Sequence, residues 1–303
     1  MSTEARIEGD NLPNNEPVEG NPAQSPSFNV IPGNRVEIKD HVIQNDYVGN
    51  RHDYKFKVFI RLNCYANTRV VGVVFDHCIF DNCYFHKSVF DSCSFNGCKF
   101  IGCNFRGTTF PGSSFKYAIF ERTIVDNDIL KQAPAEENLK MAFARSLKVN
   151  YQQIGDAESV NKAVALELEA TEAHLLKGWL SDEEYYRKKY KNNDRFCQFK
   201  GWLKFKCLDY VWGNGEKPSR PVYLMATLLV ALGIWDNLHY HHQPDSISAY
   251  VNGILHSFAE IFGITLTGVE HAYPDYLKCV LVVMRLILLA FFTALLVKRL
   301  NRR

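Results

Sequence analysis

Residues 73–120 read VVFDHCIFDNCYFHKSVFDSCSFNGCKFIGCNFRGTTFPGSSFKYAIF. Phe returns at every fifth residue without a miss: Phe75, Phe80, Phe85, Phe90, Phe95, Phe100, Phe105, Phe110, Phe115 and Phe120. Two positions before each stands a small or β-branched residue: Val73, Cys78, Cys83, Ser88, Cys93, Cys98, Cys103, Thr108, Ser113 and Ala118. Ile60, Tyr65 and Val70 extend the period upstream in weaker form. A period of five matches neither an α-helix nor a plain strand. It calls for a backbone that turns a corner every five residues, with one wide and one narrow side chain pointing inward on each side of a closed cylinder. The peptide groups of one turn then pair only with the turns above and below, which is the logic of a solenoid.

These residues resemble the pentapeptide-repeat family, whose consensus is a central Leu or Phe with Ala, Cys, Ser, Thr or Val two positions earlier. The resemblance spans 55–125 and implies a right-handed quadrilateral β-helix with four pentapeptides per coil. Phe75 then stacks on Phe95 and Phe115, and Phe80 on Phe100 and Phe120. About three coils are expected, with two open ends that each need a cap. Cys78, Cys83, Cys93, Cys98 and Cys103 admit two readings. Stacked pairs such as Cys78/Cys98 suggest a metal site, but zinc needs about four converging ligands, and a spacing of five puts neighbours on different faces. The expectation is a small buried hydrophobe filling the narrow slot, with no metal and no cofactor.

The rest of the 303-residue chain is unlike this stretch. Residues 1–35 are polar and rich in Pro and Asn, and read as a disordered tail without the apolar core of a secretory signal. Together with nine Cys, an odd number, this leads to the expectation of a reducing compartment. A net charge of +2 argues against a general nucleic-acid binder, which needs excess Lys and Arg to neutralise phosphates. Over 128–215 the Phe period gives way to helical spacing: Leu139, Phe143 and Leu147, a break at Gly155-Asp156, then Val160, Val164 and Leu168. Ser181-Asp182-Glu183-Glu184 reads as a capping box. A Lys- and aromatic-rich helix follows over 194–212 and stops at Gly213-Asn214-Gly215. Glu167 and Glu169 read as a solvated face.

Residues 219–300 hold two apolar runs, 221–235 and 279–297. Between Arg220 and Lys278 there is no Lys or Arg, whereas Lys217, Arg220, Lys298, Arg299, Arg302 and Arg303 stand on the outer flanks. That is the positive-inside pattern of a membrane hairpin with both ends cytoplasmic. Arg285 interrupts the second run and should face protein or water, with Glu270, Glu260 or Asp236 as partner. Between the runs, 246–262 reads as an amphipathic helix sharing Ile247, Tyr250, Val251, Ile254, Leu255 and Phe258 on one face. His239, His241 and His242 cluster after the first run, with His256 and His271 farther on, and read as an interfacial polar turn.

Residues 140–300 are similar to the helical-plus-two-span region found after pentapeptide repeats in some microbial ion-channel-like proteins. The matching pieces are Ile154-Gly155-Asp156, the entry Trp212-Gly213-Asn214-Gly215-Glu216-Lys217-Pro218, and Leu295-Leu296-Val297-Lys298-Arg299-Leu300. The resemblance implies a pore loop. Conducting members carry Thr-x-Gly-Tyr-Gly where this chain has Leu266-Thr267-Gly268-Val269-Glu270. Only Gly268 is kept, so the filter is degenerate, although copies of Glu270 could form a cation-attracting ring.

The expectation is therefore a mixed fold: a β-helix, a helical linker and a C-terminal two-helix transmembrane hairpin. Function is expected to be non-enzymatic, since no Walker, GxSxG or HExxH motif occurs. The hairpin would form a homo-oligomeric, channel-like or anchoring assembly in the inner membrane, with the lipid bilayer and an unidentified cytoplasmic protein as partners and no nucleic acid. The alternative is a soluble module that mimics DNA and protects a topoisomerase.

Overall fold

The five-residue period becomes a stack of parallel coils. The computed structural model describes residues 35–49, 54–191, 193–217, 219–241, 246–264 and 273–300. On one face of the stack, strands Glu37–Lys39, Val58–Ile60, Ile79–Asp81, Lys99–Ile101 and Ile119–Glu121 pair in parallel in that order. A second face runs through Asn63, Tyr84, Asn104 and Ile124, a third through Val70 and Phe90, and a fourth through Val74, Ser94 and Ser114. Amides pair with the coils on either side: Lys99 N with Cys78 O and Ile119 N with Cys98 O (both 2.9 Å) on one side, and Phe85 N with Asn104 O (2.8 Å) on the other.

The five strands of the first face mark four turns, one more than expected, because the stack begins at Glu37. The upstream register also differs. Lys99 lies over Ile79, twenty residues on, whereas Ile79 lies over Val58 and Val58 over Glu37, each twenty-one on. Phe59, and not Ile60, occupies the slot under Phe80. Cys64 is buried at 2% exposure while Tyr65 is 55% exposed. Val70 keeps its inward place against Phe90. The extra residue of the Val58-to-Ile79 circuit is absorbed at Tyr65-Ala66-Asn67, where Asn67 takes φ +67°.

Inside, the Phe rings form columns of offset stacks. Phe75–Phe95 and Phe95–Phe115 are 5.2 Å apart, Phe80–Phe100 5.1 Å and Phe100–Phe120 4.9 Å. Neighbouring columns meet edge to face, as at Phe85–Phe90 (5.3 Å, 85°). Both geometries suit the ring quadrupole and contribute roughly 0.5–1.5 kcal/mol per pair beyond burial.

The narrow slot has a second role. Its side chain donates to the carbonyl of the Phe in the coil beneath: Cys98 Sγ to Phe75 O (2.9 Å), Cys103 Sγ to Phe80 O (3.4 Å), Ser113 Oγ to Phe90 O (2.9 Å) and Thr123 Oγ1 to Phe100 O (3.2 Å). A residue here must be small and gains by carrying S–H or O–H, which is why Cys, Ser and Thr interchange. Each corner has one left-handed residue two positions after the Phe, among them His77 (φ +59°), Asn82 (+51°), Gly97 (+66°) and Tyr117 (+61°). A Cβ at Gly97 would lie 2.4 Å from His77 Nδ1, so a side chain there would have to displace that ring.

The last coil ends on helix α1 (Glu137–Ile154). Phe143 extends the Phe columns, 6.0 Å from Phe115 and 6.2 Å from Phe120, and Leu147 and Tyr151 seal the same core. One face of α1 then substitutes for the missing next coil. Ser146 Oγ accepts from Phe120 N (3.0 Å) and Gln153 Oε1 from Arg122 N (2.8 Å). The fully buried Asn150 accepts from Thr123 N and donates to Thr123 O, both at 2.8 Å.

Gly155 at φ +76° ends α1, and Asp156 caps α2 (Ala157–Leu180) by accepting from Ser159 N (3.0 Å). Glu167 is not on a solvated face: it is half-buried and bridges Arg145 (3.0 Å) and Lys148 (2.6 Å), tying α2 to α1. The expected capping box at Ser181 does not form; Glu183 N donates to Ser181 Oγ (3.1 Å), and α3 (Glu184–Lys189) starts without a side-chain cap. Helix α4 (Asn193–Trp212) leads through Gly213–Gly215 to α5 (Ser219–Asp236), which continues as a π-turn to His241. Helices α6 (Ile247–Phe262) and α7 (Asp275–Leu300) complete the chain. The proposed tail, 1–35, lies outside the described residues except for Arg35.

Asn150→Ala should strand both polar groups of the buried Thr123 peptide and cost about 2–4 kcal/mol. Guanidinium unfolding of the full chain in micelles, followed by circular dichroism, measures it. Lys148→Ala on the same helix, which loses a partly exposed ion pair, should cost under about 1 kcal/mol.

Candidate functional site

The β-helix interior offers no open chemistry at its cysteines. Cys64, Cys78, Cys83, Cys93, Cys98 and Cys103 are all free and buried, and no cluster of three or more metal-binding side chains occurs among the described residues. Burial pushes the thiols of Cys64 and Cys103 up, and that of Cys93 to about 11. The ring-lined core and these thiols are one packing unit.

The second set of candidate residues lies in the hairpin. Two helices, Ser219–His239 and Asp275–Val297, are long and apolar enough to cross a membrane. Their apolar surface is not spent on the chain's own core. Val222, Val230 and Ile234 on α5 and Val280, Val283, Leu286 and Leu289 on α7 are exposed. Helix α6 is inverted relative to a helix of a water-soluble protein: Ile247, Val251, Leu255 and Phe258 face outward, while Gly253, His256 and Ser257 are buried. The expected apolar stripe therefore exists but is turned away from the protein, with Tyr250 and Ile254 at its half-buried edge.

A close backbone contact sets this arrangement. A Cβ on Gly253 would lie 2.7 Å from Gly233 O, and one on Gly233 would lie 2.4 Å from the Ile254 side chain. With α5 and α6 this near, the fully buried Asp236 reaches His256, Oδ1 to Nδ1 3.2 Å. His256 Nε2 stands 3.7 Å from Glu260, which stands 3.8 Å from Lys278 on α7. Tyr273 packs its ring on His256 (4.6 Å) and its hydroxyl shares a hydrogen bond with Ser257 Oγ (2.7 Å), which also lies 2.8 Å from Gly253 O. Acid, imidazole, acid and amine thus alternate across three helices. Such an array of buried polar groups links α5, α6 and α7 to one another.

Of the expected partners of Arg285, Glu270 lies outside the described residues and the other two are engaged elsewhere. Asp236 and Glu260 are engaged by His256 and Lys278, and Arg285 Nη1 donates instead to Ile261 O (2.9 Å), a carbonyl of the last turn of α6. A cation at a helix C-terminus is favoured by the aligned peptide dipoles. Leu266, Thr267, Gly268 and Glu270 lie outside the described residues, as do His242 and His271. His239 stacks on Trp235 at 5.1 Å. The centrality of His256 and Asp236 went unread in the sequence. The signal available was a His four residues before Glu260 on an otherwise apolar helix.

Thiol chemistry follows from burial. Cys93 holds its proton more tightly folded than the ordinary value of 9.0, so its share of stability is complete below pH 9.0 and is lost as pH rises toward about 11. At neutral pH a thiol reagent should modify Cys197 and Cys207 of the exposed α4 at once, and the six β-helix thiols only after unfolding. Quantitative labelling followed by peptide mass mapping reads both.

Residues 75–119 match the profile of the family described as Pentapeptide repeats (9 copies). A comparison with curated proteins finds no match to the chain. The repeat segment is thus similar to pentapeptide repeats in sequence and forms a β-solenoid in structure.

Proposed function

We propose that this chain is an integral membrane protein whose hairpin, α5 to α7, anchors and self-assembles in a bilayer and holds the β-helix on the cytoplasmic side as a protein-binding module. The observation that carries the reading is the inverted hairpin. Only 22% and 17% of the two apolar helices is buried within the chain, and most of the large side chains left outside are Val, Leu and Ile. Water disfavours such a surface by roughly 25 cal/mol per Å²; hydrocarbon does not. The absence of Lys and Arg from 221–277, against six at the flanks, supports one orientation, with both ends cytoplasmic.

Binding by the β-helix is supported by its outer wall. Its coils are rigid, and side chains such as Tyr84 and Tyr117 stand exposed on it. Aromatic residues of this kind dominate interface energetics. The module acts by binding, not catalysis. Assembly of the hairpin rests on the outward α6 stripe, which a neighbouring copy could cover. The degenerate stretch 266–270 favours an anchoring assembly over selective conduction.

Membranes carrying the protein, washed in alkaline carbonate, should retain it in the pellet. Release into the supernatant would remove the membrane reading. Crosslinked particles from mild detergent should run at a multiple of 34.8 kDa, and a strictly monomeric particle would leave only the anchor.

A further inference from the structure

We propose that the groove between α5 and α7 is a binding site for a long-chain carboxylate, with Arg285 holding the head and the groove the tail. This rests on the membrane reading. The groove is an open cleft of about 640 Å³, within the range of small-ligand sites. Val222, Met225 and Leu229 form one wall and Leu286, Leu289 and Phe292 the other; Arg285 is the single polar side chain of its lining.

Three observations select the ligand's chemistry. First, Arg285 has five N–H donors, of which the Nη1 group meets Ile261 O at 2.9 Å. No other acceptor meets the guanidinium among the described residues. A half-buried cation with unspent donors in an apolar wall calls for an anionic acceptor, and a carboxylate accepts two parallel bonds from this fork. Second, Arg285 stands at one end of the groove's α7 wall. From Arg285 to Phe292 is about 10 Å by helix rise, so a ligand held at Arg285 has its tail directed toward Val222 and the cytoplasmic flank. That is the orientation of an amphiphile entering from the opposite leaflet.

Third, a second copy of this chain fits the groove less well. The outward faces of α5, α6 and α7 are dominated by Val, Leu, Ile and Phe, which would fill the apolar part and offer the guanidinium few acceptors. An amphiphile answers both parts at once.

The test uses the full chain in nonionic micelles, titrated with 9,10-dibromostearate and, as a neutral control with the same tail, its methyl ester. Bromine quenches nearby indoles, and Trp212 lies 5.2 Å from Phe291, beside the groove. The acid should half-quench at about tenfold lower concentration than the ester, the scale of one charge-assisted hydrogen-bonded pair. Arg285→Gln should abolish that preference and Arg285→Lys should retain part of it. Ala226→Phe, which fills the groove while leaving Arg285 in place, should weaken quenching by both probes. Native mass spectrometry of the wild-type chain should show stearate adducts in preference to ester adducts, which keeps the test independent of how the variants fold. Equal half-quench concentrations for acid and ester in the wild type, or a preference surviving in Arg285→Gln, would overturn the proposal. Recovery of the chain without detergent would instead strike the membrane reading beneath it.

Discussion

A coil of a β-helix can satisfy its peptide groups only from the coils above and below, so the whole stack depends on how its last edge is closed. In this chain the closing element is a helix. Ser146, Asn150 and Gln153 line one face of α1 and present side-chain oxygens where a further coil would present carbonyls. Phe143, Leu147 and Tyr151 beside them continue the apolar filling. The same helix thus ends the ladder and the ring columns together, and α2, clamped through Glu167, holds it in place. Without this closure the strand Ile119–Glu121 would be an exposed edge, open to pairing with another chain.

The two halves of the molecule solve opposite solvation problems. The β-helix hides Phe and shows Asp, Asn and Lys, as a water-facing stack must. The hairpin shows Val, Leu and Phe and hides Asp236, His256 and Ser257. Gly233 and Gly253 make the second solution feasible, because they let the backbones of α5 and α6 approach closely enough for buried polar groups to reach one another. Buried acids and imidazoles are retained only where they find partners, and here Asp236 of α5 and His256 of α6 serve one another.

The β-helix was legible in the sequence because its period is enforced by sterics: every inward position accepts one ring or one small group, and nothing else fits. Upstream of Val73 that grip loosens. There the pattern Ile60, Tyr65, Val70 kept the five-residue beat, but the chain spends one extra residue at Asn67, and Phe59 and Cys64 take the inward places. A corner can lengthen without changing composition, so periodicity cannot report it. The apolar hairpin was legible as charge asymmetry and helix length. The partner of Arg285 was not, since a backbone carbonyl such as Ile261 O carries no letter in the sequence. Nor was the pairing of Asp236 with His256, twenty residues apart, which exists only once two glycines bring their helices together.

One left-handed residue per corner gives the stack an angular phase: each five residues advance the chain by one side, and four sides return it to the same wall. The Asn150 lock addresses one particular peptide, at Thr123. The height of the solenoid is in that sense quantised. A descendant could lengthen it by duplicating a whole circuit and keep α1 seated on the same wall, whereas a gain of one or two sides would deliver the wrong wall to the lid.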